Sequence, residues 1–329
     1  TTNEQFEKIK DELVRPFKLE KGRLFRAGIY VTEDRKYLFT DFHHILADGN
    51  SYDIIFEDID RAYLGEKLEK ESYTGFDAAL DEEQQMKEGK YKKAEKYYDS
   101  IFEGIETESL PLPDCSGKTP ERGYLSMPVD TGESLVLSAC EKLGVTPNIL
   151  FTGVFGILMS RYSNSEESLF ATIYNGRNDS RLSETVGMLV KTLPVYTDFA
   201  GSLKDGLLAV QQQLINSMNN DIYPFSQISH EFDIKADAMV IYQGDNFAFD
   251  TIGGEYAQEE PVSLNMAKAP VSVSISIEKN RFVFEIEYRG DMYHEETIRY
   301  LADNLETTAE GILRECDPAD IRLMFEEET

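Results

Sequence analysis

His43, His44, Asp48 and Gly49 are the residues of this chain whose types and spacing best suit chemistry. The two histidines come at the end of a strand-like run, and Asp48-Gly49 indicates a turn. A neutral imidazole, with an unperturbed pKa of about 6.5, can take a proton from an amine or a hydroxyl near neutral pH. The alternative, purely structural interpretation is a buried histidine pair at a strand end, with Asp48 as a turn former. The residues by themselves leave both interpretations open.

The elements around this string predict how it is positioned. Residues 23–32 and 36–42 are strand-like and close together in the chain, which predicts a β-hairpin. Successive side chains of a strand point to opposite faces, so one histidine should face a cleft and the other the core. A helix should follow the turn. Asn50 or Ser51 is its predicted N-cap, because a short polar side chain can accept hydrogen bonds from the first free N–H groups.

The rest of the chain mixes helical and strand patterns. Residues 78–102 form a charged stretch that predicts one long helix. Residues 132–143 and 147–162 predict two more helices, the second with Pro147 in its first turn. Residues 271–277 and 282–288 alternate around a short polar turn and predict a second hairpin. This organisation predicts an α+β fold with mixed sheets, arranged in two lobes.

Composition excludes some classes of function. The chain has 329 residues, with 33 Lys and Arg against 61 Asp and Glu, so its formal net charge is −28. Such a charge disfavours nonspecific binding to nucleic acid or to an anionic membrane, since phosphate contacts need a basic field. The length favours two lobes over one. We therefore predict no nucleic-acid and no membrane partner.

The cysteines and the opening residues indicate the compartment. The three cysteines are widely scattered and form no metal-ligand spacing, which predicts free thiols and no metal site. The charged opening stretch does not resemble a signal peptide. The longest apolar run, residues 149–159, is shorter than the roughly 20 residues that span a bilayer. The predicted location is the cytoplasm.

The string HHILADG, residues 43–49, matches the HHxxxDG motif of the condensation domains of nonribosomal peptide synthetases. Further segments resemble the same family in the right order along nearly the whole chain: residues 16–30, 73–80, 175–195, 219–228 and 288–298. Two departures stand out. Lys191 occupies a position where the family usually has Asn, and a late Arg-Asp-x-Ser-Arg-like motif has no clear counterpart.

The resemblance implies a fold of two chloramphenicol-acetyltransferase-like lobes in a V shape, with the active site in a tunnel between them. Residues 1–115 would be the remainder of the N-terminal lobe, with the HHxxxDG loop and a linker helix, and residues 116–329 the C-terminal lobe. The family has a further stretch before Thr1. We therefore expect the first lobe to be incomplete and the isolated chain to be inactive or weakly active.

The resemblance also implies an activity. Upstream and downstream peptidyl carrier proteins would deliver the substrates on phosphopantetheine arms, and adenylation domains would belong to the same synthetase. The acceptor amine would attack the donor thioester and form an amide, with no cofactor bound by the domain itself.

The family's site residues carry over position by position. His44 would accept or position the amine proton, and the Gly49 N–H is a candidate oxyanion contact. His43 would be mainly structural. Asp48 would form a salt bridge with Arg177 that joins the two lobes, whereas the alternative is a solvated Asp48 that merely caps the following helix.

Two other functions stay open. Related epimerisation domains keep the HHxxxDG motif, although residues 186–194 are more similar to condensation domains. A degenerate, non-catalytic domain that docks a carrier is the other alternative, and the intact motif disfavours it. Cyclisation domains replace the histidines by aspartate, so the His43-His44 pair argues against that class.

Overall fold

The chain passes back and forth between two units that are defined by its internal contacts. A computed structural model describes residues 2–105, 111–117, 121–235, 237–245, 251–258, 260, 267 and 269–323. Unit 1 is Thr1–Gln84, Asn175–Val190 and Phe247–Leu264, and unit 2 is Gln85–Tyr174, Lys191–Asn246 and Asn265–Thr329. Each unit is thus assembled from segments that are far apart in the sequence. The proposed division at residue 115 stays a prediction.

Unit 1 contains small elements. They are α1 Asn3–Leu13, β1 Phe25–Val31, β2 Lys36–Phe42, α2 Gly49–Tyr63, the greater part of α3 Gly75–Lys87, and the short strands β7 Thr251–Ile252 and β8 Glu255–Tyr256. β1 and β2 pair in antiparallel register, which confirms the first predicted hairpin. Phe6 of α1 stacks on Tyr37 of β2 with ring centroids 4.1 Å apart. A two-stranded sheet is only marginally stable by itself, so this aromatic packing supports the element that ends at the histidines.

Unit 2 is built on a mixed sheet. Its strands are β3 Arg122–Gly132, β4 Glu167–Tyr174, β5 Lys191–Asp198, β6 Ala238–Asp245, β9 Val271–Glu278 and β10 Arg281–Arg289. Their order in the sheet is β3-β10-β9-β6-β4-β5. β6 runs parallel to β4 and β9, and the other neighbours are antiparallel. The helices of this unit are α4 Lys90–Phe102, α5 Glu133–Leu143, α6 Pro147–Tyr162, α7 Leu203–Met218, α8 Phe225–Phe232 and α9 Glu295–Leu313.

The core of unit 2 explains its helix pattern. Every residue of α6 from Ile149 to Ser160 is buried. A helix that is apolar on all sides must lie inside the protein, which is why this run is long and uncharged. Pro147 stands in its first turn and Thr146 caps it, as the sequence predicts. The second predicted hairpin is also confirmed. Its two turn residues, Lys279 and Asn280, both have positive φ, the backbone of a two-residue hairpin turn.

The predicted long helix over residues 78–102 is wrong. Two helices, α3 and α4, occupy this stretch, and Gly89 between them has a φ of 86°. Glycine adopts this left-handed backbone at little steric cost, so the chain can turn there. Charge periodicity continues across the break, and it therefore could not reveal the turn. Among the described residues, no single helix is both long and apolar enough to cross a membrane, although α5 and α6 together pass on length and composition with an 89° bend.

Candidate active site

The two histidines follow the strand and do not belong to it. β2 ends at Phe42, and the backbone N–H of His43 donates to the Leu24 carbonyl at 2.9 Å. The chain then turns, with the Leu46 N–H donating to the His43 carbonyl at 2.9 Å. The orientation of each imidazole is therefore set by this turn and by local hydrogen bonds. Strand alternation does not decide which histidine is accessible.

His44 is held in one tautomer. Its Nδ1 lies 2.9 Å from the carbonyl oxygen of Ala47. A carbonyl oxygen can only accept a hydrogen bond, so Nδ1 carries a proton, and in the neutral ring Nε2 has the free lone pair. The side chain is exposed. His44 therefore presents an accessible nitrogen that can take up a proton.

His43 has the opposite arrangement. Its Nδ1 accepts a hydrogen bond from the Ile45 N–H at 3.1 Å, so in the neutral ring the proton is on Nε2. The half-buried ring meets Phe17 edge to face, with centroids 5.9 Å apart. Both contacts fix the start of the turn. This geometry agrees with the predicted structural role for His43, which stays a prediction.

We expect His43→Ala to lower the free energy of unfolding by about 1–3 kcal/mol, because it removes the acceptor of the Ile45 N–H and the contact with Phe17. Urea unfolding followed by circular dichroism measures the change. His230→Ala, which replaces an exposed histidine of unit 2, is the control and should change little. Equal stability of the two variants would contradict the structural role.

Asp48 caps α2, and the predicted N-cap at Asn50 or Ser51 is wrong. Oδ1 of Asp48 accepts from the Ser51 N–H at 2.9 Å and lies 2.8 Å from the Ser51 hydroxyl. Oδ2 accepts from the Leu189 N–H at 3.0 Å. The side chain has no exposed surface. The alternative interpretation, a solvated Asp48 that caps the helix, is correct about the cap and wrong about the solvation.

Arg177 completes the surroundings of this carboxylate. Its guanidinium NH2 lies 2.9 Å from Asp48 Oδ1, which confirms the pairing predicted from the sequence. Only 6% of the Arg177 side chain is exposed. The other terminal nitrogen donates to the carbonyl oxygens of Leu182 and Thr185 at 2.7 and 2.8 Å. Both charged partners belong to unit 1, so this ion pair lies within one unit. The expectation that it joins two lobes does not hold for these units.

The segment that carries Arg177 needs a glycine before it. Gly176 has a φ of 69°, and a Cβ at this position would lie 1.9 Å from the carbonyl oxygen of Leu189. Only glycine allows so close an approach of two backbones. The Asn-Gly-Arg run thus places the guanidinium beside Asp48 while the backbone of residues 185–189 passes next to it.

Burial raises the pKa of Asp48, but the hydrogen bonds from Leu189 and Ser51 and the charge of Arg177 outweigh it, so the pKa lies below its ordinary value. The unfolded carboxyl titrates near pH 3.9. A lowered folded pKa contributes stability above that pH, and the contribution is lost as the pH falls through the folded pKa.

We therefore expect the difference in unfolding free energy between the wild-type protein and Asp48→Asn to shrink as the pH falls below about 4. Urea titrations of both proteins at pH 7, 5, 4 and 3 measure it. A difference that stays constant or grows on acidification would show that the Asp48 carboxylate is not stabilised by its neighbours.

Gly49 is the first residue of α2, where backbone N–H groups have no acceptor within the helix. A Cβ added at Gly49 would find no atom within 4 Å, so the space beside this backbone is open. Its place at the start of the helix, next in the chain to the buried carboxylate, keeps this N–H a candidate oxyanion contact. Its role in catalysis stays a prediction.

Ser51 is the residue that sequence reasoning undervalued. The sequence predicts it only as a helix cap, whereas its hydroxyl contacts Asp48, Gly187 and Arg177. The available sequence signal is a Ser three residues after an Asp-Gly turn that precedes a helical pattern. That signal does not identify Gly187, which lies 136 residues away in the chain.

One group among the described residues has metal-ligand character. Asp114, Cys115 and His294 of unit 2 place one possible ligand atom each within 4.8 Å of the others. Both Asp114 oxygens already accept hydrogen bonds, from the His294 N–H and the Thr297 hydroxyl, at the start of α9. Desolvation raises the pKa of Cys115, which favours the thiol over the thiolate that metals bind. Asp114 thus serves as a local anchor of α9.

The condensation-domain family model matches residues 1–328, and this chain belongs to that family. Gramicidin S synthase 2 of Aneurinibacillus migulanus is 26% identical over 347 residues, covering 99% of this chain and 8% of that protein. Tyrocidine synthase 3 of Brevibacillus parabrevis is 27% identical over 326 residues, covering 92% of this chain and 5% of that protein. The chain therefore spans less than a tenth of the length of these curated relatives.

Solved structures share the fold. The X-domain of teicoplanin biosynthesis, solved in complex with OxyB, has a TM-score of 0.83 at 17% identity, covering 99% of this chain and 79% of that chain. The first condensation domain of the calcium-dependent antibiotic synthetase, with a substrate analogue, has a TM-score of 0.77 at 15% identity, covering 98% and 75%. An epimerization domain of tyrocidine synthetase B has the same score at 17% identity, covering 96% and 78%. The predicted α+β, chloramphenicol-acetyltransferase-like fold is confirmed.

Proposed function

We propose that this domain forms an amide bond between a donor acyl or peptidyl thioester and an acceptor aminoacyl amine. Each substrate would arrive on the phosphopantetheine arm of a carrier protein, upstream or downstream, within a synthetase that also contains adenylation domains. The observation that carries the proposal is the His44 tautomer. With the proton on Nδ1, the exposed imidazole offers Nε2 as a base for the amine. Membership of the condensation-domain family supports the same reaction.

The proposed reaction is aminolysis of a thioester. The amine nitrogen attacks the thioester carbonyl carbon, the new C–N bond forms, and the C–S bond to the donor carrier breaks. His44 Nε2 takes the proton that the amine loses and gives it to the departing thiolate. The Gly49 N–H, at the open start of α2, would donate to the oxyanion of the tetrahedral intermediate. The domain itself contributes side chains and backbone to this chemistry.

Epimerisation of a carrier-bound aminoacyl group is the alternative reaction. The fold is as similar to an epimerization domain as to a condensation domain, with a TM-score of 0.77 in both cases. A base next to the substrate would then remove the proton of the α-carbon. The same imidazole could serve either reaction, so the product has to be analysed.

The test uses the full-length gene product with one carrier loaded with an acyl or peptidyl donor and the other with an aminoacyl acceptor. Mass spectrometry of the acceptor carrier should show the mass of the amide product, with loss of donor from its carrier. Inversion of the α-carbon without transfer, detected by chiral analysis and deuterium incorporation, would establish epimerisation instead. Carrier binding with neither product would establish a docking domain.

A further inference from the structure

Ser51 joins two segments that lie 136 residues apart in the chain. Its side chain is fully buried at the first turn of α2. Oγ lies 2.8 Å from Asp48 Oδ1 and 2.9 Å from the Gly187 carbonyl oxygen, and either can accept its single proton. The Gly187 N–H donates to the same Oγ at 3.0 Å. The hydroxyl therefore accepts from the Gly187 N–H and donates its one proton either to the Gly187 carbonyl or to the buried carboxylate.

A chain of contacts runs from this hydroxyl to His44. Ser51 supplies two contacts to Asp48 Oδ1, one from its N–H and one from its hydroxyl. These contacts fix the carboxylate and with it the peptide that joins Ala47 to Asp48. The carbonyl of that peptide is the group that receives the Nδ1 proton of His44 at 2.9 Å. A small rotation of this peptide would remove the acceptor that selects the tautomer.

We propose that Ser51 is a positioning residue: its hydroxyl orients the Ala47 carbonyl that selects the His44 tautomer, and it couples this orientation to the backbone of Gly187. The catalytic meaning of the tautomer rests on the proposed function, but the positioning itself does not. Loss of the hydroxyl would remove the acceptor of the Gly187 N–H and the donor that the Gly187 carbonyl shares with Asp48. The HHxxxDG turn would then be held to residues 185–189 through the Leu189 N–H and Arg177, without the contact at Gly187.

The primary experiment measures the side chain of His44 and the backbone of Gly187 in the 329-residue chain. In wild type, long-range ¹⁵N–¹H spectra should show His44 protonated on Nδ1, and peptide-level hydrogen exchange should show slow exchange at Gly187. In Ser51→Ala we expect His44 to become a mixture of tautomers and the Gly187 amide to exchange at least about tenfold faster. In the full-length gene product, kcat for amide formation should fall about tenfold with little change in KM for the donor carrier.

Thr185→Ala is the matched control. Thr185 is also fully buried, and its hydroxyl also anchors the same loop, but it donates to the Tyr73 carbonyl and does not reach Asp48. This variant should lose stability without changing the His44 tautomer. Ser51→Cys, close in size to serine and a weaker hydrogen-bond donor, replaces Ser51→Ala if that variant does not fold.

An unchanged His44 tautomer together with unchanged exchange at Gly187 in a folded Ser51 variant would overturn the proposal. An equal change of tautomer in Thr185→Ala would also overturn it, because general loosening of the loop would then be the cause. These two readouts need no turnover. A protein that forms no amide but shows the expected spectra would therefore refute the proposed function and leave the role of Ser51 supported.

Discussion

His44→Ala is expected to lower the rate of amide formation by about 10²–10⁴-fold while leaving carrier binding and folding intact, because general acid–base catalysis contributes this much. The imidazole is exposed, and its one described hydrogen bond is to the carbonyl of Ala47, three residues later in the chain. Its removal therefore costs little packing. A single-turnover assay with loaded carriers, quenched and analysed by mass spectrometry, measures the rate of the chemical step.

His294→Ala is the control for this experiment. His294 is also exposed, but it lies at the start of α9 in unit 2 and its side chain does not cap that helix. The control should react at the wild-type rate. Wild-type turnover by a well-folded His44→Ala protein would remove His44 from the mechanism, and the proposal of a base at this position would fail.

Asp48→Ala should destabilise unit 1 by about 3–5 kcal/mol, the range expected when one partner of a buried ion pair is removed. The Arg177 guanidinium, 6% exposed, would lose its charged partner, and water could replace little of that interaction. The Leu189 N–H would lose its acceptor as well. We expect insoluble or partly unfolded protein rather than a folded, slow enzyme.

The chain contains no Trp, so urea unfolding is followed by circular dichroism or by tyrosine fluorescence. Asp179→Ala is the matched control, because Asp179 also pairs with an arginine in unit 1, but both partners are about half exposed. The loss of unfolding free energy in Asp179→Ala should be much smaller, since solvent screens an exposed pair.

A double-mutant cycle of Asp48→Ala with Arg177→Ala should show that the two losses of unfolding free energy are not additive. Equal small losses for Asp48→Ala and Asp179→Ala would contradict a buried, coupled pair.

Local signals in the sequence identified most of the elements around the site. Alternation and the polar turn predicted the hairpin of β1 and β2, and the HHxxxDG string located the turn that follows it. Where a local signal was ambiguous, the prediction was less good. Any of three short polar residues next to Gly49 can cap a helix: Asp48, Asn50 or Ser51. Only the packed structure selects Asp48.

The residue types of this chain determined that a histidine pair, an aspartate and an arginine are available for one site, and the family resemblance paired Asp48 with Arg177. Only the tertiary structure decided the partners that are backbone groups. Backbone carbonyls occur in every residue, and backbone N–H groups in every residue except proline. No residue type therefore marks the Leu189 N–H as a partner of Asp48 or the Ala47 carbonyl as a partner of His44. The contact of Leu189 with Asp48 joins segments 141 residues apart, whereas the Ala47 carbonyl is only three residues from His44 and its direction is set by the folded turn. For this physical reason the sequence predicts which chemistry is available, whereas the fold selects the tautomer and the buried charge that make it usable.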